Sequence, residues 1–198
     1  MKKILFLLSL GILPVLVMAQ PGPASKDTSW KKIYRSSVTK VNDLVHTKLD
    51  AKFDFSKSHL NGKVWITLKP HFYATDSLTL DAKGMDIKEV AIMKGAAKSA
   101  LKYNYDGMQL FIHLDKMYKN NENYTVYINY TAKPDELVTK GSEAITDAKG
   151  LYFINPNGKD DKPIQIWTQG ETEASSAWFP TIDKPNQKTT SEISMTVE

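Results

Sequence analysis

Cysteine is missing from all 198 positions of the chain. That absence excludes disulfide bracing, thiolate catalysis and cysteine-held metal. Arg35 is the only arginine. Phosphate and base-edge recognition lean on arginine forks, so nucleic acid is not an expected partner. The four histidines, His46, His59, His71 and His113, include no pair at the spacing of H-E-x-x-H, and no metal site is expected within this chain. His46 and His113 fall on polar faces of alternating runs and read as surface residues. There is no G-x-S-x-G elbow and no S-x-x-K, and the glycines in "KGMDI" and "DAKGL" stand alone, which excludes an activated serine and a phosphate-cradling loop. Two Asn-Tyr-Thr triplets, at Asn123 and Asn129, match a glycosylation sequon but are read as lying in a strand, as chance matches.

Long apolar runs are almost as scarce. The one present, Ile4 to Met18, follows Lys2 and Lys3 and leads to Ala19. This is the layout of a secretory signal peptide over residues 1–19, with Gln20 as the new N-terminus. The alternative is a membrane anchor; against it, the run is shorter than the ~20 residues of a spanning helix and Pro14 interrupts it. No cysteine follows the cleavage point, so a lipoprotein anchor is excluded, and no span is expected after cleavage. The expected location is periplasmic or extracellular. Removing Lys2 and Lys3 lowers the formal charge from +4 to +2, which favours no partner class. Residues 20–32, "QPGPASKDTSWKK", have the composition of a flexible leader.

What fills the rest is alternation. In "LVHTKLDAKFDF", Val45, Leu49, Ala51, Phe53 and Phe55 are apolar and the intervening positions polar, the period of a strand with one wet face. "HLNGKVWITLKP" offers Asn61-Gly62 as a hairpin turn before Val64, Ile66 and Leu68. "SLTLDA" and "IKEVAIM" follow, then a turn near Gly95. "ALKYNYDGMQLFIHL" reads as two strands joined at Asp106-Gly107, with Met108, Leu110, Ile112 and Leu114 on one face. "NYTVYINYTA" aligns Tyr124, Val126, Ile128 and Tyr130, and "GLYFIN", "PIQIWT" and "SEISMTV" complete the set. The expected fold is all-β, an antiparallel saddle-shaped sheet or sandwich of about nine strands over residues 33–198. The one helical candidate, Asp135 to Lys140, is long enough only for a turn. The chain stops inside an alternating run, as the front part of a longer polypeptide would.

One segment breaks the rhythm. "IWTQGETEASSAWFPTIDKPNQKTT", residues 166–190, crowds acids, aromatics and prolines together. Gln169 and Glu171 flank Gly170 at the end of a strand, where both can face one cleft. A carboxylate beside an amide suits an ammonium group, one supplying charge and the other a directed hydrogen bond. The bland alternative is a polar loop with Trp178 and Phe179 plugging the domain's end.

Thr168, Gln169, Glu171, Phe179, Pro180, Asp183 and Pro185 together resemble the end of the N-terminal domain of the aminopeptidase N family of zinc metallopeptidases, which includes leukotriene hydrolase. The looser order of "HTKLDAKFDFSKSHLNGKVWITLKP" and "SLTLDAKGMDIKEV" is similar to the opening strands of that domain. The resemblance implies that Glu171 pairs with the free α-amino group of a peptide and that Gln169 lines the pocket for the first side chain. Trp178, Phe179, Pro180 and Asp183 would be structural. Gly170 replaces a larger residue of many relatives, and Ser175 and Ser176 stand where several carry arginine or aspartate. The family's zinc sits on a following catalytic domain, with H-E-x-x-H and a G-x-M-E-N loop, neither of which occurs in this chain. The implied partners are a peptide N-terminus and that catalytic domain of the same polypeptide; the implied cofactor is zinc in the whole enzyme and none bound by this chain, which alone would be silent. Two rivals remain: a free-standing exported β-sandwich binding module, with no exposed apolar patch for a second domain, and a truncated structural domain with no affinity at Gln169 and Glu171.

Overall fold

The structure, a computed structural model, describes residues 36–138 and 147–197. The expected signal peptide (1–19) and leader (20–32) lie outside the described residues. Among the described residues eleven strands, against the nine or so expected, build three sheets.

Strands β1 (Asn42–Asp54) and β2 (His59–Pro70) form the hairpin on which the rest is laid. Their turn is not Asn61-Gly62. It lies at residues 55–58, where the Asp54 carboxylate accepts the Ser56 hydroxyl at 2.7 Å and the Lys57 N–H at 3.3 Å, and Ser58 takes a φ of 54°. Asn61 and Gly62 are inside β2 because the inward side of position 62 is filled by a neighbouring ring, a packing fact that local turn chemistry does not encode. A bulge after Leu44 moves Leu44 into the core in place of the expected Val45. Beyond it Leu49, Ala51 and Phe53 face inward, as do Val64, Ile66 and Leu68 of β2.

Strand β8 (Tyr124–Ala132) pairs antiparallel with β2 and β4 (Met85–Lys94), and β4 with β5 (Ala97–Ala100). Asn123 precedes β8, so only Asn129 of the two sequon asparagines lies in a strand. Strand β11 (Thr190–Thr196) joins the far edge beside β1, giving a six-stranded order β11-β1-β2-β8-β4-β5. The sheets are otherwise antiparallel, as expected, and the β1–β11 pairing is parallel. Parallel neighbours need a long crossover, and here the whole chain between β1 and β11 supplies it.

Facing this sheet are β3 (Thr75–Asp81), β7 (Gln109–Tyr118) and β6 (Lys102–Tyr105), in the order β3-β7-β6. The segment read as one strand, "ALKYNY", is two. The chain leaves the first sheet after Ala100, ties Leu101 N–H to the Val90 carbonyl at 3.0 Å, and enters the second sheet at Lys102. The Asp106 carboxylate shapes the next turn by accepting the N–H groups of Met108 and Gln109, and those hydrogen bonds hold it below the ordinary carboxylate range. Met108 is therefore in the turn and exposed, while Leu110, Ile112 and Leu114 reach the core.

The core lies between the two sheets. Leu60, Val64, Ile66, Leu68, Leu80, Leu110, Val126, Ile128 and Tyr130 have no measurable exposure, and each such aliphatic side chain contributes about 1.5–3 kcal/mol. Strands β9 (Leu151–Ile154) and β10 (Gln165–Thr168) form a separate hairpin whose Phe153 packs edge-on against Phe53 and Phe55. At the start of the span read as no more than a turn, Asp135–Lys140, a 3-10 turn covers Pro134–Glu136, and residues 139–140 lie outside the described residues. Among the described residues no helix is long and apolar enough to cross a membrane.

Candidate functional site

The loop that carries Gln169 and Glu171 begins where β10 ends. Gln169 N–H donates to the Gly150 carbonyl at 3.0 Å, extending the β9–β10 ladder by one bond. Gly150 has a φ of 71°, and a Cβ there would lie 1.9 Å from the Ala174 carbonyl oxygen, so only glycine lets the loop close over β9. The chain then turns tightly: Glu173 and Ala174 donate their N–H groups to the Gly170 carbonyl, and a 3-10 turn spans Ser175–Ala177.

The segment after the turn is stitched down. The Asp183 carboxylate accepts the Ser176 N–H at 2.8 Å, and Asp183 N–H donates to the Asp81 carboxylate at 3.0 Å. Asp81 also exchanges backbone hydrogen bonds with Thr181 and receives the Gln109 side-chain amide at 3.2 Å. Lys83 N–H reaches the Ser176 carbonyl at 2.8 Å, and its ammonium donates to the Glu173 carbonyl. Trp178 and Phe179 meet edge to face at 4.5 Å against the core, and Pro180 is buried.

Against this anchoring the two candidate residues stand apart. Glu171 is exposed, and no ion pair holds it among the described residues, whereas Glu173 is bound to Lys184 at 2.7 Å. The Glu173 hydrogen bond raises the Lys184 ammonium above its ordinary value. Gln169 is half-buried, with its amide nitrogen 3.5 Å from the Glu171 carboxylate, a long contact that aims both groups at one region. Glu171 lines a cleft of about 470 Å³ with Gly170, Thr172, Glu173, Asp183 and Lys184; Gln169 is not among the lining residues. Three carboxylates against one ammonium leave the cleft with an anionic excess, suited to a cation. Glu173, Lys184, Lys83, Asp81 and Gly150 escaped the sequence reading, because nothing local marks a lysine 11 positions from its partner or an aspartate 102 positions away.

The histidines are dispersed. His46 meets Thr190 at 2.8 Å, His59 meets Glu136 at 3.0 Å, His71 meets Asp43 at 2.9 Å, and His113 is exposed. Among the described residues no three His, Asp or Glu side chains gather to hold a metal ion.

The fold and loop define an all-β domain with an acidic cleft at one end of its strands. The family model described as the peptidase M1 N-terminal domain matches residues 42–198, and the chain belongs to that family. Among solved structures, the M1 zinc metallopeptidase from Deinococcus radiodurans aligns at 14% identity and a TM-score of 0.64, over 82% of this chain and 34% of that one. A mutant of that enzyme bound to a Tyr-Ser-Ala substrate aligns at 15% identity and a TM-score of 0.63, over the same shares. Native leukotriene A4 hydrolase from Saccharomyces cerevisiae aligns at 20% identity and a TM-score of 0.57, over 87% of this chain and 27% of that one. At such identities the likeness is one of fold. The chain spans about a third or less of the length of these structures. No curated protein matches it.

Proposed function

We propose that the chain is the N-terminal, non-catalytic domain of an exported zinc aminopeptidase, in which Gln169 and Glu171 receive the free amino end of a peptide. The observation that carries this reading is the state of Glu171. The nearby acids Glu173, Asp183 and Asp81 are engaged by lysine, amide or backbone donors, while the Glu171 carboxylate has no cationic partner among the described residues. An α-ammonium group placed against Glu171 and within reach of the Gln169 amide oxygen would complete the pair. The carboxylate supplies charge and the amide supplies direction. Their part is to position the substrate, so that only a chain end, and not an internal peptide bond, is presented to the catalytic domain.

Among the described residues none are gathered to fit a zinc site; the metal of the whole enzyme takes its ligands elsewhere in the polypeptide, and this chain alone is expected to be silent. The apolar run behind Lys2 and Lys3 supports export by a cleaved signal peptide, to the periplasm or the exterior.

The test is the protein from the complete reading frame, given one peptide in two forms. The free-amine form should lose its first residue and the N-acetylated form should remain intact. Equal cleavage of both, or of neither, would overturn the reading.

A further inference from the structure

The acidic cleft holds a positive charge of its own. Among the described residues Lys184 is the only cation lining it, alongside Glu171, Glu173 and Asp183. The Lys184 side chain is half-buried, and its ammonium donates to the Glu173 carboxylate at 2.7 Å, a charge-assisted bond. Glu173 is placed there by its backbone. Its N–H donates to the Gly170 carbonyl at 3.1 Å, and its own carbonyl takes the Lys83 ammonium. Its φ of 108° is one that residues with a side chain rarely adopt, so the loop imposes it. Those backbone bonds leave the Glu173 carboxylate to Lys184.

A peptide's α-ammonium and the Lys184 ammonium are cations of the same kind, and the exposed Glu171 carboxylate lies in one cleft with Lys184. Lysine carries its charge on a flexible stem, so an unheld Lys184 would turn to the carboxylate least engaged. Asp81 and Asp183 each accept a backbone or amide N–H, whereas Glu171 has the long Gln169 contact at 3.5 Å. We infer that Glu173 is a positioning residue that holds Lys184 off Glu171, so that the substrate's amino end meets a vacant carboxylate. The inference rests on the reading of Glu171 as the group that receives the peptide's ammonium. Glu173 itself makes no contact with substrate in this account. Without it, Lys184 would occupy Glu171 as an internal competitor, and the fraction of enzyme able to bind would fall. Saturating substrate displaces a competitor, so the loss would fall on KM and not on kcat.

Steady-state kinetics of four forms of the complete enzyme on one amino-acid anilide test this: the wild type, Glu173→Ala, Lys184→Met and the double variant. Glu173→Ala should raise KM about fivefold, the worth of a partly exposed ion pair, with kcat within about twofold of the wild type. In the Lys184→Met background the same substitution should leave KM where Lys184→Met alone puts it, since no competitor remains to be released. A rise of equal size in both backgrounds would overturn the inference, because it would make Glu173 a brace for the loop or for the fold. So would an unchanged KM in Glu173→Ala, or a loss carried by kcat. If Glu171→Gln leaves kcat/KM unchanged, the functional reading falls and takes this inference with it. If Glu171→Gln is impaired while Glu173→Ala keeps the wild-type KM, the inference falls alone.

Discussion

Tyr130 lies directly across the β2–β8 ladder from Gly62, and its ring fills the space a side chain at position 62 would need: a Cβ there would sit 2.2 Å from the tyrosine Cζ. Ala51, the β1 neighbour of Gly62, is equally small, so three strands leave a hollow for one large ring. The Tyr130 hydroxyl then donates to the Trp178 carbonyl at 3.0 Å, linking the core to the loop that carries Glu171. Gly62→Ala should therefore destabilise the domain by about 2–3 kcal/mol, the cost of overpacking a rigid site. In a Tyr130→Leu background most of that cost should vanish, a coupling that denaturant titration of the four proteins would measure.

Burial pushes the Tyr130 phenol well above the ordinary tyrosine value, and burial does the same to Tyr124, whose hydroxyl donates to Asn42 at 2.7 Å. Both groups remain neutral in the fold and ionise near pH 10 once unfolded. Their contribution to stability is thus complete below about pH 10 and lost as pH rises beyond it, at up to about 1.4 kcal/mol per pH unit for each group. Unfolding free energies measured from pH 8 to 11 should fall at the alkaline end, less steeply in Tyr130→Phe and Tyr124→Phe.

Asp183 accepts the Ser176 N–H and donates its own N–H to Asp81, closing the loop on the end of β3. Asp183→Ala should cost about 1–2 kcal/mol in unfolding free energy, because the buried Ser176 N–H loses its acceptor. Asp183→Asn keeps one carbonyl oxygen and should cost less. Proteolysis within the loop should accelerate in the same order.

Much of this fold was legible from period-two alternation, since inward side chains on Leu68, Ile112 and Ile128 need only the strand's geometry to be placed. What was not legible depended on contacts between distant segments. Asn61-Gly62 carries a turn signature that Tyr130 overrides, the bulge after Leu44 shifts one strand by a residue, and the exchange of sheets at Leu101 divides a run that looks continuous. The loop itself was found by its composition and its family pattern. The pairing of Glu173 with Lys184, which sets that acid apart from Glu171, joins residues 11 positions apart that carry no local signature.

If residues 1–19 are a signal peptide, the intact mass of the exported protein should correspond to a chain beginning at Gln20. Retention of Met1 in the membrane fraction would show an anchor instead.

The central claim turns on Glu171. Steady-state kinetics of the complete enzyme and its Glu171→Gln variant, on one amino-acid anilide, would address it most directly. Glu171 makes no structural ion pair among the described residues, so the variant should keep the wild-type unfolding midpoint. Its kcat/KM should fall about tenfold to a hundredfold, the loss expected when a charge-assisted contact to an ammonium group is neutralised. An unchanged kcat/KM in a stably folded variant would contradict the account.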